Sequence, residues 1–205
     1  MKVLAFGAHP DDIEIGMGGT IARHTSQKDE VLMVVACTPT DGGVRVKEAR
    51  KAANILGAEL YLVDLEPTSL IYHRDIIERF DRIVTDFAPH VVYTHWNHDS
   101  HQDHIAVSNV SFAVGRKNRF SMYMYEQSLP GGVVPYGFNA NSFNDISQYI
   151  DVKGTALAAH ESQLEVNGPQ WIEALKSRAS YRGYQIGVKH AEAFEVVKQI
   201  DLLFK

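Results

Sequence analysis

Apolar residues gather into near-continuous runs along the first half of the chain: KVLAFGA from Lys2, EVLMVVACT from Glu30, ELYLVDL from Glu59 and HVVYTH from His90. Runs without polar alternation predict strands buried on both faces, as the strands of a parallel sheet are. Between them the spacing turns helical. Pro10 to Gln27 places Ile13, Met17 and Ile21 on one stripe, with Pro10 suited to an opening turn. Val46 to Leu56 is helical with Gly57 just beyond it, and Asp75 to Phe87 carries Ile76, Ile77, Phe80, Ile83, Val84 and Phe87 on one face before Pro89. Strand-helix-strand units with short connections cross over right-handedly. The expected fold class is therefore α/β, a Rossmann-like three-layer sandwich with a mostly parallel sheet.

The second half is less regular. SMYMYEQ from Ser121 reads as a strand, PGGVVPYGFNANS from Pro130 as a long loop, and Lys153–Leu164 and Pro169–Tyr184 as helices. The loop's aromatics suit a site wall and ordinary packing equally. No linker or repeat interrupts the pattern, and 205 residues with 45% hydrophobic content can bury one sizeable core, so residues 1–205 are expected to form a single domain.

Charge narrows the function classes. The net charge of −5 comes with no basic stripe, which argues against a nucleic-acid partner. The lone cysteine, Cys37, lies inside VLMVVAC and can build neither a disulfide framework nor a thiolate metal site. The opening MKVLAFGA is too short an apolar run for a signal peptide, and no stretch approaches the ~18 apolar residues of a membrane span. A soluble, cytoplasmic protein without a transmembrane segment is expected.

The chemistry concentrates where the first strand ends, at AHPDD. Adjacent Asp11 and Asp12 repel each other, and a plain turn is served as well by Asn, Ser or Gly, so a positive group is expected beside them. Ligands of open parallel sheets bind beyond the carboxyl ends of the strands. The fourth apolar run ends at that same edge in WNHDSHQDH, which holds His98, Asp99, His101, Asp103 and His104. Two such clusters can converge into a two-histidine, one-carboxylate metal site. His9 and Asp12, three apart across a helix-opening turn, can face one point, which makes Asp12 the ligand and turns Asp11 aside. Asp11 can then take a proton from a metal-activated water. His101 and His104 are also three apart, one binding and one free, with Asp103 placed to orient an imidazole. A plain helix N-terminus neutralised by aspartate accounts for AHPDD alone but not for the second cluster. The following GMGGT lacks the order of a dinucleotide fingerprint, and Gly16, Gly18 and Gly19 are read instead as a close helix-to-sheet approach.

AHPDDIEIGMGGTIA together with HDSHQDH resembles the PIG-L/LmbE family of metal-dependent N-deacetylases, which remove acetyl groups from amino sugars such as N-acetylglucosamine. The likeness extends through RVKEARKAANILG, DVKGTALAAHESQ and RGYQIGVKHAEAF, nearly the whole chain. It implies that His9, Asp12 and His104 hold zinc, one Zn2+ per chain, and that Asp11 is the general base. It further implies that His101 is the acid or oxyanion stabiliser with Asp103 supporting it, and that Arg45 contacts substrate. Gln102 stands where the family often has proline, a change that touches no ligand. Glu48 is open between a capping or ion-pair role and the site, and His160 between lining the site and packing on a helix face. His24, His73, His90 and His190 stand alone and carry no assigned role.

The resulting expectation is a zinc-dependent hydrolase acting on a small-molecule N-acetylated sugar, with a homo-oligomer compatible. Two other classes compete. A non-haem iron oxygenase uses the same two-histidine, one-aspartate set but typically sits on an all-β barrel, and a non-catalytic carbohydrate-binding protein has no need of Asp11.

Overall fold

The computed structural model describes residues 1–66, 69–127 and 131–200. Its strands are β1 (Lys2–Gly7), β2 (Glu30–Cys37), β3 (Glu59–Leu65), β4 (Val91–His95), β5 (Ser121–Tyr125), β6 (Ser142–Asp145) and β7 (Ala191–Lys198). Its helices are α1 (Asp12–Ser26), α2 (Val44–Leu56), α3 (Arg74–Phe87), α4 (Gln102–Gly115), α5 (Ile150–Ala158), α6 (Glu161–Asn167) and α7 (Gln170–Ile186).

The strands form a 7-stranded sheet in the order β3-β2-β1-β4-β5-β7-β6. The pairs among β1 to β5 are parallel, and β7 runs antiparallel to both β5 and β6. The expected α/β architecture with a mostly parallel sheet is the one observed. Alternation along β1 feeds both faces: Leu4 and Phe6 join a core with Phe80, Val107 and Val110, while Val3 and Ala5 join one with Ile13, Ile21 and Ala52. Strand order reverses between β1 and β4, so the chain leaves these two neighbours toward opposite sides and opens a crevice beyond their carboxyl ends.

Three sequence expectations change. The helix expected over Lys153–Leu164 is two helices, α5 and α6, parted at Ala159 and His160 because the buried His160 ring turns inward, its Nε2 3.0 Å from Glu14 Oε1. The loop expected from Pro130, whose first residue lies outside the described residues, is irregular over 131–141, but β6, which begins at its last residue, Ser142, and β7 were not anticipated. α1 breaks inside its apolar stripe, where Met17 leaves helical geometry (φ −149°, ψ 23°). The break frees groups that a continuous helix would pair. Ile15 O takes Lys153 Nζ at 2.9 Å and Arg178 Nη2 at 2.7 Å, while the amides of Gly19 and Thr20 donate to Glu192 at 3.0 and 2.6 Å. The glycines do bring this helix close. A Cβ on Gly16 would stand 2.2 Å from the Tyr125 ring of β5, and one on Gly19 2.7 Å from Ile146.

Candidate metal centre

The β1–α1 turn is tight enough that Asp11 adopts φ 106°, a left-handed conformation that costs a non-glycine residue strain. The turn is closed by the His9 amide, which donates to Asp12 Oδ2 at 2.7 Å. It divides the two aspartates. Asp12 turns into the crevice, and Asp11 turns toward α2, where Arg45 Nη2 donates to its Oδ1 at 3.0 Å and also to Pro10 O. Across the crevice, β4 ends at the fully buried His95, and His101 caps α4 by accepting the Asp103 amide on Nδ1 at 3.1 Å.

The two crevice walls meet around Asp12. His104 Nε2 lies 3.3 Å from its Oδ1, and His9 Nδ1 and His95 Nε2 lie 3.5 and 3.1 Å from its Oδ2. The far nitrogens sort these rings. His9 Nε2 is 2.9 Å from Asp103 Oδ2, and His104 Nδ1 is 3.0 Å from Asp99 Oδ2. Each imidazole thus has its outer N–H held by a carboxylate and its other nitrogen turned inward toward Asp12, the arrangement that orients metal-binding histidines. His95 lacks it: its Nε2 is reached by the Ala8 amide at 3.0 Å, and its buried Nδ1 has no partner among the described residues. Donor atoms fall within 4.8 Å of one another in two trios, His9–His101–His104 and Asp12–His95–His104, which share His104. A buried carboxylate ringed by imidazoles, two of them anchored from behind, fits a divalent cation.

Electrostatics separate the same groups. Burial alone would raise Asp12, but His104 and His95 hold it well below the usual carboxylate range. Burial and the Asp12 charge push Asp11 up to about 7 against the pull of Arg45. Burial opposes protonation of His104, yet Asp12 and Asp99 lift it to about 10, whereas burial and His104 press His95 down to about 4. Burial, His104 and His9 also lower His101. With Nδ1 accepting a backbone N–H, the neutral His101 ring carries its proton on Nε2 and is a hydrogen-bond donor there.

Glu48, left open between capping and the site, caps α6: it accepts the Ser162 amide and hydroxyl at 2.8 and 2.6 Å. His160 is packed at zero exposure against Glu14 on α1.

Comparison with known proteins places this geometry. The GlcNAc-PI de-N-acetylase family, PIG-L, matches residues 4–114, the part of the chain that builds both crevice walls. The chain belongs to this family. The chain is 30% identical to a diacetylchitobiose deacetylase of Thermococcus kodakarensis over 98% of its own length and 85% of that protein. An uncharacterized deacetylase of Escherichia coli K12, YaiS, is 32% identical over 78% of this chain and 90% of its own length. Among solved structures, the conserved protein TT1542 of Thermus thermophilus superposes with a TM-score of 0.85 at 25% identity, covering 99% of this chain and 98% of that one.

Within this PIG-L chain, sequence reasoning passed over three residues that touch the cluster. Asp99 was visible in HDSHQDH but had no role until its contact with His104 gave it one. Gln127, just past β5, donates to Asp12 Oδ1 at 3.1 Å. His95 read as the last residue of a strand; a polar side chain ending a buried strand at the ligand-binding edge was the available signal.

Proposed function

We propose that the chain hydrolyses the N-acetyl group of an amino sugar or sugar conjugate, releasing acetate and a free amine, with one zinc ion held by His9, Asp12 and His104. The observation that carries this reading is the division of the adjacent aspartates: Asp12 sits among inward-facing imidazoles while Asp11 stands apart on Arg45. The family and its sugar-deacetylase relative in Thermococcus support the reaction class. The α/β sheet and the retained Asp11 weigh against the oxygenase and the non-catalytic binder.

When bound, the cation supplies Lewis acidity that makes a water acidic and polarises the acetyl carbonyl. Asp11 takes the proton from the attacking water, a task suited to a carboxylate whose pKa lies near neutrality. Arg45 fixes the Asp11 carboxylate at Oδ1. The His101 Nε2–H is offered to the carbonyl oxygen as negative charge develops on it. Asp103 holds both His9, through Nε2, and His101, through its amide. As the C–N bond breaks, the proton that Asp11 took from the water passes to the departing amine, and the neutral His101 ring, its Nδ1 already accepting the Asp103 amide, acts as oxyanion donor rather than as the acid.

Among the described residues no helix is long and apolar enough to cross a membrane. We place the protein in the cytoplasm as one deacetylase domain over residues 1–205. The test is release of acetate from a panel of N-acetylated amino sugars by the zinc-loaded protein, with elemental analysis alongside. Activity on some member that chelation abolishes and zinc restores is expected; a metal-replete protein that releases no acetate from any of them overturns the reading.

A further inference from the structure

Asp12 is held from two sides by donors that are not imidazoles. The His9 backbone amide donates to its Oδ2 at 2.7 Å, and Gln127 Nε2 donates to its Oδ1 at 3.1 Å. The difference in chemistry matters. An imidazole nitrogen that takes up a cation gives up its N–H, so the contacts of the histidines with Asp12 cannot all persist once a metal is bound. An amide N–H is never lost, and these two bonds can stand in both states. Each occupies one acceptor site on one oxygen, which fixes the plane of the carboxylate and leaves its other lone pairs for the cation and the imidazoles.

The surroundings of Gln127 do not by themselves hold it there. Its Oε1 is buried and has no partner among the described residues, a desolvation cost without return. The β5–β7 ladder pairs Tyr125 with Phe194, and beyond it the Glu126 amide reaches Ala193 O only at a long 3.4 Å. The firm grip on this stretch comes from α7. Arg182 closes a fork on the Glu126 carboxylate, with Nε at 2.8 Å from Oε2 and Nη2 at 2.5 Å from Oε1, and neither side chain is more than 15% exposed. A planar two-bond fork fixes both the position and the angle of a carboxylate. Glu126 is thereby pinned, and Gln127 follows one peptide unit later.

We propose that Gln127 is a positioning residue of the metal centre and that the Arg182–Glu126 fork holds it in place, so that α7, which supplies no ligand, helps to set how tightly the centre binds its cation. The proposal rests on the metal site read above, His9, Asp12 and His104, and not on which amide that site hydrolyses.

The test titrates metal-free protein with Zn2+ against a chromophoric chelator and reads the Co2+-loaded form by visible absorption. Gln127→Met keeps the length of the side chain and removes the donor. It should bind Zn2+ roughly 10- to 100-fold more weakly, the range for a lost partner behind a metal ligand, and its Co2+ bands should shift because Asp12 is freer to turn. Arg182→Lys keeps the charge without the fork, and Glu126→Gln weakens the fork from its other side; both should lower Zn2+ affinity in the same direction and by less. Because Arg182 acts through Gln127, adding Arg182→Lys to Gln127→Met should bring little further loss. Circular dichroism of the metal-free variants separates a weakened site from an unfolded chain. Zn2+ affinity within about twofold of wild type in folded Gln127→Met, or unshifted Co2+ bands, overturns the positioning role. Wild-type affinity in both fork variants, or a full additional loss from Arg182→Lys in the Gln127→Met background, overturns the link to α7. A wild-type protein that takes up neither ion overturns the metal site and this proposal with it, whereas a zinc-loaded protein that releases no acetate overturns the deacetylase reading alone.

Discussion

Lys153→Met is the sharpest test of how α1 is broken and held. Lys153 Nζ lies 2.5 Å from Glu192 Oε1 and donates to Ile15 O at 2.9 Å, and both side chains of the pair are almost wholly buried. At that separation the Coulomb attraction is about 7 kcal/mol for an effective dielectric of 20. Desolvating two buried ions costs several kcal/mol each, so the intact pair adds little net stability over an apolar substitute. Removing one partner is different. Lys153→Met takes from the buried Glu192 its Nζ partner, leaving it the Gly19 and Thr20 amides and the more distant charge of Arg178, and costs about 3–5 kcal/mol. For a chain of this size each kcal/mol moves Tm by roughly 2–4 °C, so the expected fall is roughly 6–20 °C.

The assay is calorimetric unfolding of the metal-free protein at pH 7, run as a double-mutant cycle with Glu192→Gln. The glutamine side chain in that variant still offers an oxygen to one of the α1 amides but carries no charge. The double variant should therefore be less destabilised than the sum of the two singles by about 1–3 kcal/mol, the range for groups in one buried network. A Tm within about 3 °C of wild type for Lys153→Met, less than the cost of one buried unpaired charge, would falsify the argument. Strict additivity would equally show that the two charges do not sense each other.

Asp11→Asn should keep its metal by elemental analysis yet lose roughly 10²- to 10⁴-fold in turnover, while Asp12→Asn should lose metal; the reverse pattern would exchange the two aspartates. Because Asp11 must be ionised to act and burial pushes it up to about 7, wild-type turnover should rise with pH through an acid limb at or below that value, and Asp11→Asn should lack the limb. Arg45→Ala should raise KM if Arg45 contacts substrate, and its 3.0 Å contact with Asp11 means that turnover should fall too, by roughly 10- to 100-fold for one charged hydrogen bond; steady-state kinetics showing a KM change alone would remove that contact from catalysis. Gly16→Ala forces a Cβ to 2.2 Å from the Tyr125 ring, which cannot swing away while its hydroxyl holds Phe6 O at 2.8 Å, so thermal melts should show a loss of about 1–3 kcal/mol. Gly18→Ala, whose Cβ meets Lys153 at 3.4 Å, is the control and should cost distinctly less.

What could be read from the sequence divides along a physical line. The parallel strands and their crossover helices follow from local patterning, because a strand buried on both faces must be apolar wherever it pairs. β6 and β7 escaped because their partners are remote and their local signal is weak: β6 follows a Gly- and Asn-rich loop, and β7, which pairs with β5 and β6, alternates too weakly in AEAFEVVK to stand out. The break in α1 is set by Glu192, 173 residues from the Gly19 amide it takes, and the break between α5 and α6 by Glu14, 146 residues from His160. No local window contains both halves of either arrangement.

The same distinction runs through the centre itself. AHPDD and HDSHQDH were visible because each packs several polar groups into one short turn, and the turn geometry alone separates Asp11 from Asp12. His95 and Gln127 were not, because both lie outside the two polar clusters, His95 as the last residue of β4 and Gln127 beside Glu126 just past β5. They reach Asp12 only because the reversal of strand order puts the end of β4 beside the end of β1, His95 meeting an aspartate 83 positions earlier in the chain. Local sequence therefore shows which residues can do chemistry at the crevice, and topology decides which further side chains press upon them. A polar residue that closes a buried strand at the point of reversal, as His95 does, is where the two kinds of information meet.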